Sequence, residues 1–229
     1  MKKVFVFVFV FLQVLPATAA LGESLVWEQI PGFSSLPAGA KEGFAQAADF
    51  FKPACLDSLK KVETFTNRTL PRALAGANLL KIRADVLQAE NFSQLMIHEL
   101  AHVVDLGHFR GSQDAGESKF RDGHLPIFKN DPSVEFYRIS WQDEKFWKRG
   151  SSKLDFVTGY AATDPFEDFA ESALFFVKHN REFRILAAEN EKLAQKFAFM
   201  REKVFAGKVF ETGKSFADLK VREWDATRI

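Results

Sequence analysis

Between Leu95 and Val104 the chain reads Leu-Met-Ile-His-Glu-Leu-Ala-His-Val-Val, seven apolar residues enclosing His98, Glu99 and His102. The periodicity from Phe92 to Leu106 is helical, with Asn91 or Ser93 available as a cap and Gly107 as a stop. Apolar residues surround this helix almost completely, so it must be buried, and its polar side chains must find partners inside the protein. His98 and His102 stand four residues apart, on one face and about 6 Å from each other. Two neutral imidazoles in that position can share a metal ion. Glu99 lies one residue further round. It is poorly placed to bind the same ion but can reach a water beside it and take its proton.

A catalytic zinc takes three protein ligands and leaves one position open. Two residues compete for the third place. His108 gives the spacing His98-Glu99-x-x-His102-x-x-Asp105-x-x-His108, close to the metzincin pattern. That pattern needs Gly where Asp105 stands and a downstream Met in a turn, whereas Met200 falls within an amphipathic helical stretch. The other candidate is Glu167, in Asp164-Pro165-Phe166-Glu167-Asp168-Phe169-Ala170-Glu171. Asp164 reads as a helix cap with Pro165 in the first position, and Glu167 can be read as completing a capping box. Yet Phe166, Phe169, Ala170, Ala173 and Leu174 surround the two acids and place them near the core, where carboxylates need a cation. Glu171, one turn on, can accept the free N–H of a ligand histidine. Asp105 shares the histidine face and is expected to bond a ligand imidazole or nearby backbone.

Two blocks of this sequence, about 92–107 and 156–205, resemble the catalytic domain of anthrax toxin lethal factor and related gluzincin-type metallopeptidases. The likeness rests on His98-Glu99-x-x-His102-x-Val104-Asp105, on Tyr160 followed seven residues later by Glu167, and on Phe169-Ala170-Glu171. It implies His98, His102 and Glu167 as ligands of one zinc ion and Glu99 as general base. It also implies Tyr160 as the phenol that stabilises the oxyanion. Residues 108–155 and 21–78 have no counterpart in it, so substrate choice does not carry over.

The opening twenty residues read as a leader. Lys2 and Lys3 precede an apolar run from Val4 to Val14, and Ala17 and Ala19 form a small-x-small cleavage site. The run is shorter than the roughly 20 residues a membrane-spanning helix needs. The rest, residues 21–229, is expected to be one exported domain, secreted or periplasmic. Formal net charge is +1, which gives no electrostatic case for nucleic acid as a partner. A single Cys55 excludes an intrachain disulfide framework. Only two tyrosines stand against 26 phenylalanines, so each phenol matters: Tyr160 as above, Tyr137 as a packed aromatic.

Elsewhere, Leu80–Asp85 alternates as a half-buried strand and is expected to be the edge along which an extended peptide aligns. Leu56, Leu59 and Val62 recur at helical spacing, as do Phe44, Ala47, Ala48 and Phe51. Residues 109–132 read as a long surface loop containing His124, and 136–141 as strand or helix. A helix is expected from Asp164 to His179 and another from about Glu182 to Phe205. The expectation is an α+β zincin-like domain, mainly helical with a small, mostly antiparallel sheet. It would act as a secreted zinc metallopeptidase on a peptide or protein substrate. A zinc hydrolase of a non-protein envelope polymer and a non-catalytic binding protein of the same fold are the alternatives.

Overall fold

The computed structural model describes residues 27–229. The expected leader and its cleavage site lie outside them.

Helix α1 (Ala38–Ala48) buries Phe44, Ala47 and Ala48, and Phe51 follows it into the same core. After the short α2 (Pro53–Leu56), strand β1 (Lys61–Phe65) is followed by β2 (Ala73–Ala75) and β3 (Leu79–Arg83). Leu56, Leu59 and Val62 all reach the core, but from a helix, a turn and a strand rather than from one helix. The sheet order is β1-β3-β2, with β1 parallel and β2 antiparallel to β3. The alternation in the third strand is real, since Leu80 and Ile82 are fully buried, but this strand is central. The expected peptide-aligning edge is therefore not at Leu80–Asp85. The edge strands of this sheet are β1 and β2, and β2 lines the cleft.

Helix α3 (Phe92–Val103) packs between α1 and α5 (Pro165–Lys178), with β2 against it. Its end differs from expectation. The chain does not stop at Gly107 but widens into a π-helical turn, Val104–His108. A side chain at Gly107 would stand 2.2 Å from Ser58 Oγ and 2.4 Å from the Ala77 carbonyl, so this glycine is required by close approach rather than by a left-handed cap.

The stretch expected as a loop contains a hairpin, β4 (Glu117–Asp122) and β5 (Leu125–Phe128), turning at Gly123 with φ +56°. His124 sits in that turn. Helix α4 (Pro132–Ser140) resolves the 136–141 ambiguity: the Asp131 side chain caps it by accepting from Ser133 N, with Pro132 in the first position. The expected long C-terminal helix is two helices, α6 (Asn180–Glu189) and α7 (Glu191–Phe199), because Asn190 is extended and caps the second.

Fold class is thus α+β, with one parallel and one antiparallel pairing in the main sheet and a separate antiparallel hairpin. One buried apolar cluster runs from Ile30 to Ala226. Within it lies a buried ion pair. Lys196 Nζ bonds both oxygens of Asp168, at 2.7 and 2.9 Å, and the Asp155 carbonyl at 2.8 Å. Trp141 Nε1 donates to the same Asp168. This pair ties α7 to the base of α5, the helix carrying the acidic half of the site. Among the described residues no helix is long and apolar enough to cross a membrane.

Candidate metal centre

Two helices build the centre. α3 presents His98 and His102 one turn apart, and α5 presents Glu167 and Glu171 one turn apart. The start of α5 is fixed by Asp164, whose side chain accepts from Phe166 N and Glu167 N at 2.9 Å each. That cap sets where Glu167 points.

His98 Nε2 lies 3.3 Å from His102 Nε2 and 3.0 Å from Glu167 Oε2, and His102 Nε2 lies 3.4 Å from the same oxygen. The other nitrogen of His98, Nδ1, is 2.9 Å from Glu171 Oε1. A carboxylate only accepts, so the Nδ1 proton is held there and Nε2 faces Glu167, free to offer its lone pair once a cation takes the place of its proton. Glu167 Oε2 is buried and has no hydrogen-bond partner. Two imidazole lone pairs and an unpartnered carboxylate oxygen converge where only a positive charge makes them compatible. Their ligand atoms lie within 4.8 Å of one another, and this buried group can hold a metal ion.

The local electrostatics point the same way. Burial alone lowers the His98 imidazole, but the bonds and charges of Glu167 and Glu171 outweigh it and hold it well above the ordinary histidine range. His102 is likewise raised, burial being overcome by Glu167. Burial opposes ionisation of Glu167, yet His102 and His98 hold its carboxyl far below the usual range. The cluster is a well for positive charge.

Glu99 is 5% exposed and lines the cleft beside these ligands. Burial raises its carboxyl, with His98 and His102 pulling the other way, the direction a general base at neutral pH needs. The Tyr160 hydroxyl donates to Glu167 Oε1 at 2.9 Å, and its ring stacks on His98 at 6.0 Å between centroids. Burial and Glu167 together keep the phenol protonated at any physiological pH, so it is a donor. Glu171 is fully buried. Its Oε2 accepts from Thr158 Oγ1 at 2.7 Å and from the backbone N–H of Ala226 at 2.8 Å.

Two candidates stand apart from the cluster. His108 is exposed at the end of the π-helical turn and belongs to no metal-holding group among the described residues, so the metzincin arrangement is not formed. Asp105 bonds neither ligand imidazole. The Tyr137 hydroxyl stands 2.7 Å from each of its carboxylate oxygens, and its backbone carbonyl accepts from Ser133 Oγ at 3.3 Å. Tyr137 is buried and packed, with its hydroxyl spent on Asp105. Thr158 and Ala226 were not singled out in the sequence. A threonine before Gly159-Tyr160 carries no signal of its own, and a backbone N–H carries none at all.

The centre opens into a cleft of about 500 Å³. Leu74 of β2, Leu106, Phe166 and Trp224 give it apolar walls, and Arg72, Arg83 and Arg228 also line it. Comparison of the chain with protein-family models, with curated proteins and with solved structures returned no match.

Proposed function

We propose that this protein is a zinc-dependent metallopeptidase of the gluzincin type, hydrolysing peptide bonds in the cleft above α3. The observation that carries the reading is the convergence of His98, His102 and Glu167 on one point, with Glu99 and Tyr160 both lining the cleft that opens onto it. Two nitrogens and one carboxylate oxygen suit zinc and leave a position for substrate. When bound, zinc would polarise the substrate carbonyl and acidify an attacking water.

The protein's own groups supply the remainder. Glu99 takes the proton of the attacking water at its carboxylate and passes it to the leaving amine. Tyr160 donates its hydroxyl proton toward the oxyanion, leaving Glu167 as it does so. Glu171 fixes the tautomer and plane of His98. Leu74, Leu106 and Phe166 present apolar surface to the substrate chain. An intact Glu99 in an open cleft favours an enzyme over a binding protein, because a purely structural zinc site is closed and has no use for a base.

The test is metal content and hydrolysis measured on one preparation. About one zinc per chain is expected, lost from His98→Ala and Glu167→Ala but kept in His108→Ala. Cleavage of casein or a peptide library should be abolished by chelator and restored by zinc. A chain that binds zinc but cleaves cell-envelope polysaccharide and no peptide would replace the substrate class. A chain that binds no zinc would end the reading.

A further inference from the structure

Past Phe205 the chain forms no helix until the terminal turn Ala226–Arg228, yet residues 223–227 are bonded to the elements that carry the site. Gly159 N donates to the Glu223 carbonyl and Tyr160 N to the Trp224 carbonyl, each at 2.7 Å. Ala226 N donates to Glu171 Oε2 at 2.8 Å. Arg72 donates from one nitrogen to Asp225 Oδ2 and to Thr227 Oγ1, both at 2.6 Å. Asn91, at the start of α3, donates to the Thr227 carbonyl at 2.8 Å.

We propose that residues 223–227 form a positioning strap for the metal centre, acting through Glu171 on His98 and through the backbone on Tyr160. The inference rests on the metallopeptidase reading and adds to it a group of residues that touch neither metal nor substrate carbonyl. The argument begins at Glu171. One oxygen of this fully buried carboxylate holds His98 Nδ1. The carboxylate plane is fixed only if the other oxygen is held too. Thr158 and Ala226 are its two partners, and the second belongs to the strap. A buried carboxylate that loses one of its donors shifts toward another partner, and that shift releases the His98 ring.

The same segment meets the phenol. The two bonds come from consecutive N–H groups that open the 3-10 turn Tyr160–Ala162, which the strap's carbonyls thereby cap, with Tyr160 beside Glu167. Contact here is as close as backbone allows: a Cβ on Gly159 would lie 2.8 Å from the Trp224 ring. Asp225 then latches the strap. It accepts from Arg72 and also caps the terminal turn by accepting from Thr227 N at 2.8 Å. Ala226 and Thr227 are buried, so the strap also fills core. The experiment must therefore separate positioning from simple packing.

Zinc affinity, read by competition with a chromophoric chelator, makes that separation. A chain ended after Trp224 keeps the bonds to Gly159 and Tyr160 but loses the Glu171 donor. Asp225→Ala keeps the whole chain and loses the latch. Outer partners of ligand histidines carry about 10–100-fold in metal affinity. Each variant is therefore expected to bind zinc about tenfold more weakly while its metal-free form remains folded by circular dichroism. Should the shortened chain fail to fold, Asp225→Ala carries the test alone. Val62→Ala, a core truncation on β1, is the control: it should lower the melting temperature and leave zinc affinity unchanged. Parent-like affinity in the strap variants, or an equal loss in Val62→Ala, would overturn the inference while leaving the metallopeptidase reading in place. A parent chain that binds no zinc would overturn both.

Discussion

Glu171 reaches across from α5 to hold His98 by Nδ1 at 2.9 Å, and in doing so turns the opposite nitrogen, Nε2, toward Glu167. The two acids are four residues apart on one helix and clasp one imidazole from both sides. One sets the ring and the other shares with it the place of a cation. The division of labour follows from the helical repeat: residues four apart present their side chains to the same neighbour at successive levels.

Glu99→Gln should separate binding from chemistry. The amide keeps the shape of the side chain but cannot take a proton from water. Zinc content and melting temperature should match the parent, and the rate should fall by about 10²–10⁴-fold. A Glu99→Gln protein cleaving a confirmed substrate at the parent's rate would refute the assigned base.

Tyr160→Phe should cost less. Removing one oxyanion donor lowers kcat by about 10²–10³-fold, with KM little changed. The hydroxyl also donates to Glu167, so a small loss of zinc affinity is expected alongside. An unchanged kcat would leave Tyr160 as a neighbour of the ligand and nothing more.

Asp105 offers a pH test. Burial pushes its carboxyl up to about 7, against the opposing pull of Ser133 and Tyr137. In the unfolded chain it ionises near pH 4. Between those values the folded protein holds a proton that the unfolded chain has lost, so stability declines as pH rises through that window. Asp105→Asn should remove roughly 4 kcal/mol of that decline. The measurement is urea unfolding of parent and variant, in chelator, at pH 4.5, 6 and 8. Parallel stability–pH curves would show that Asp105 does not titrate as its burial demands.

Lys196→Met should be strongly destabilising, by about 3–5 kcal/mol, because it leaves Asp168 buried without its cation. The Asp168 carboxyl already sits at about 6, raised by burial and held from going higher by Lys196 and Trp141. The variant should therefore regain stability in acid, where the orphaned carboxyl is protonated. Denaturant melts at pH 5 and pH 8 check both parts. Loss of less than 1 kcal/mol at pH 8 would mean that water or another group replaces the lysine.

How far the sequence could be read depended on the range of the interaction concerned. The α3 and α5 helices were legible because periodicity and the Asp164-Pro165 cap are local. Asp131-Pro132 carries the same cap and Asp122-Gly123 a hairpin turn, so α4 and the β4–β5 hairpin are equally open to local reading. Asn190 was hidden by its surroundings, since the apolar stripe runs through it unbroken while the backbone does not. The place of β3 inside the sheet was out of reach. Alternation reports which face is buried and says nothing of how many neighbours a strand has. For the candidate site, His98, Glu99, His102 and Glu167 were legible because their residue types are costly to bury without a cation. The strap was not. Arg72 and Asp225 are 153 positions apart, Ala226 and Glu171 55, and one donor among them is plain backbone.

That separation along the chain also sets an order of events during synthesis. His98, Glu99 and His102 leave the ribosome more than a hundred residues before Ala226, and Tyr160 and Glu167 more than fifty. Until residues 223–226 are made, Glu171 lacks its backbone donor and the N–H groups of Gly159 and Tyr160 lack the carbonyls that accept from them. The candidate metal centre therefore gains these outer contacts after all the residues that could hold the ion. A chain interrupted before residue 223 carries His98, Glu99, His102, Tyr160 and Glu167 without the backbone contacts that hold Gly159, Tyr160 and Glu171.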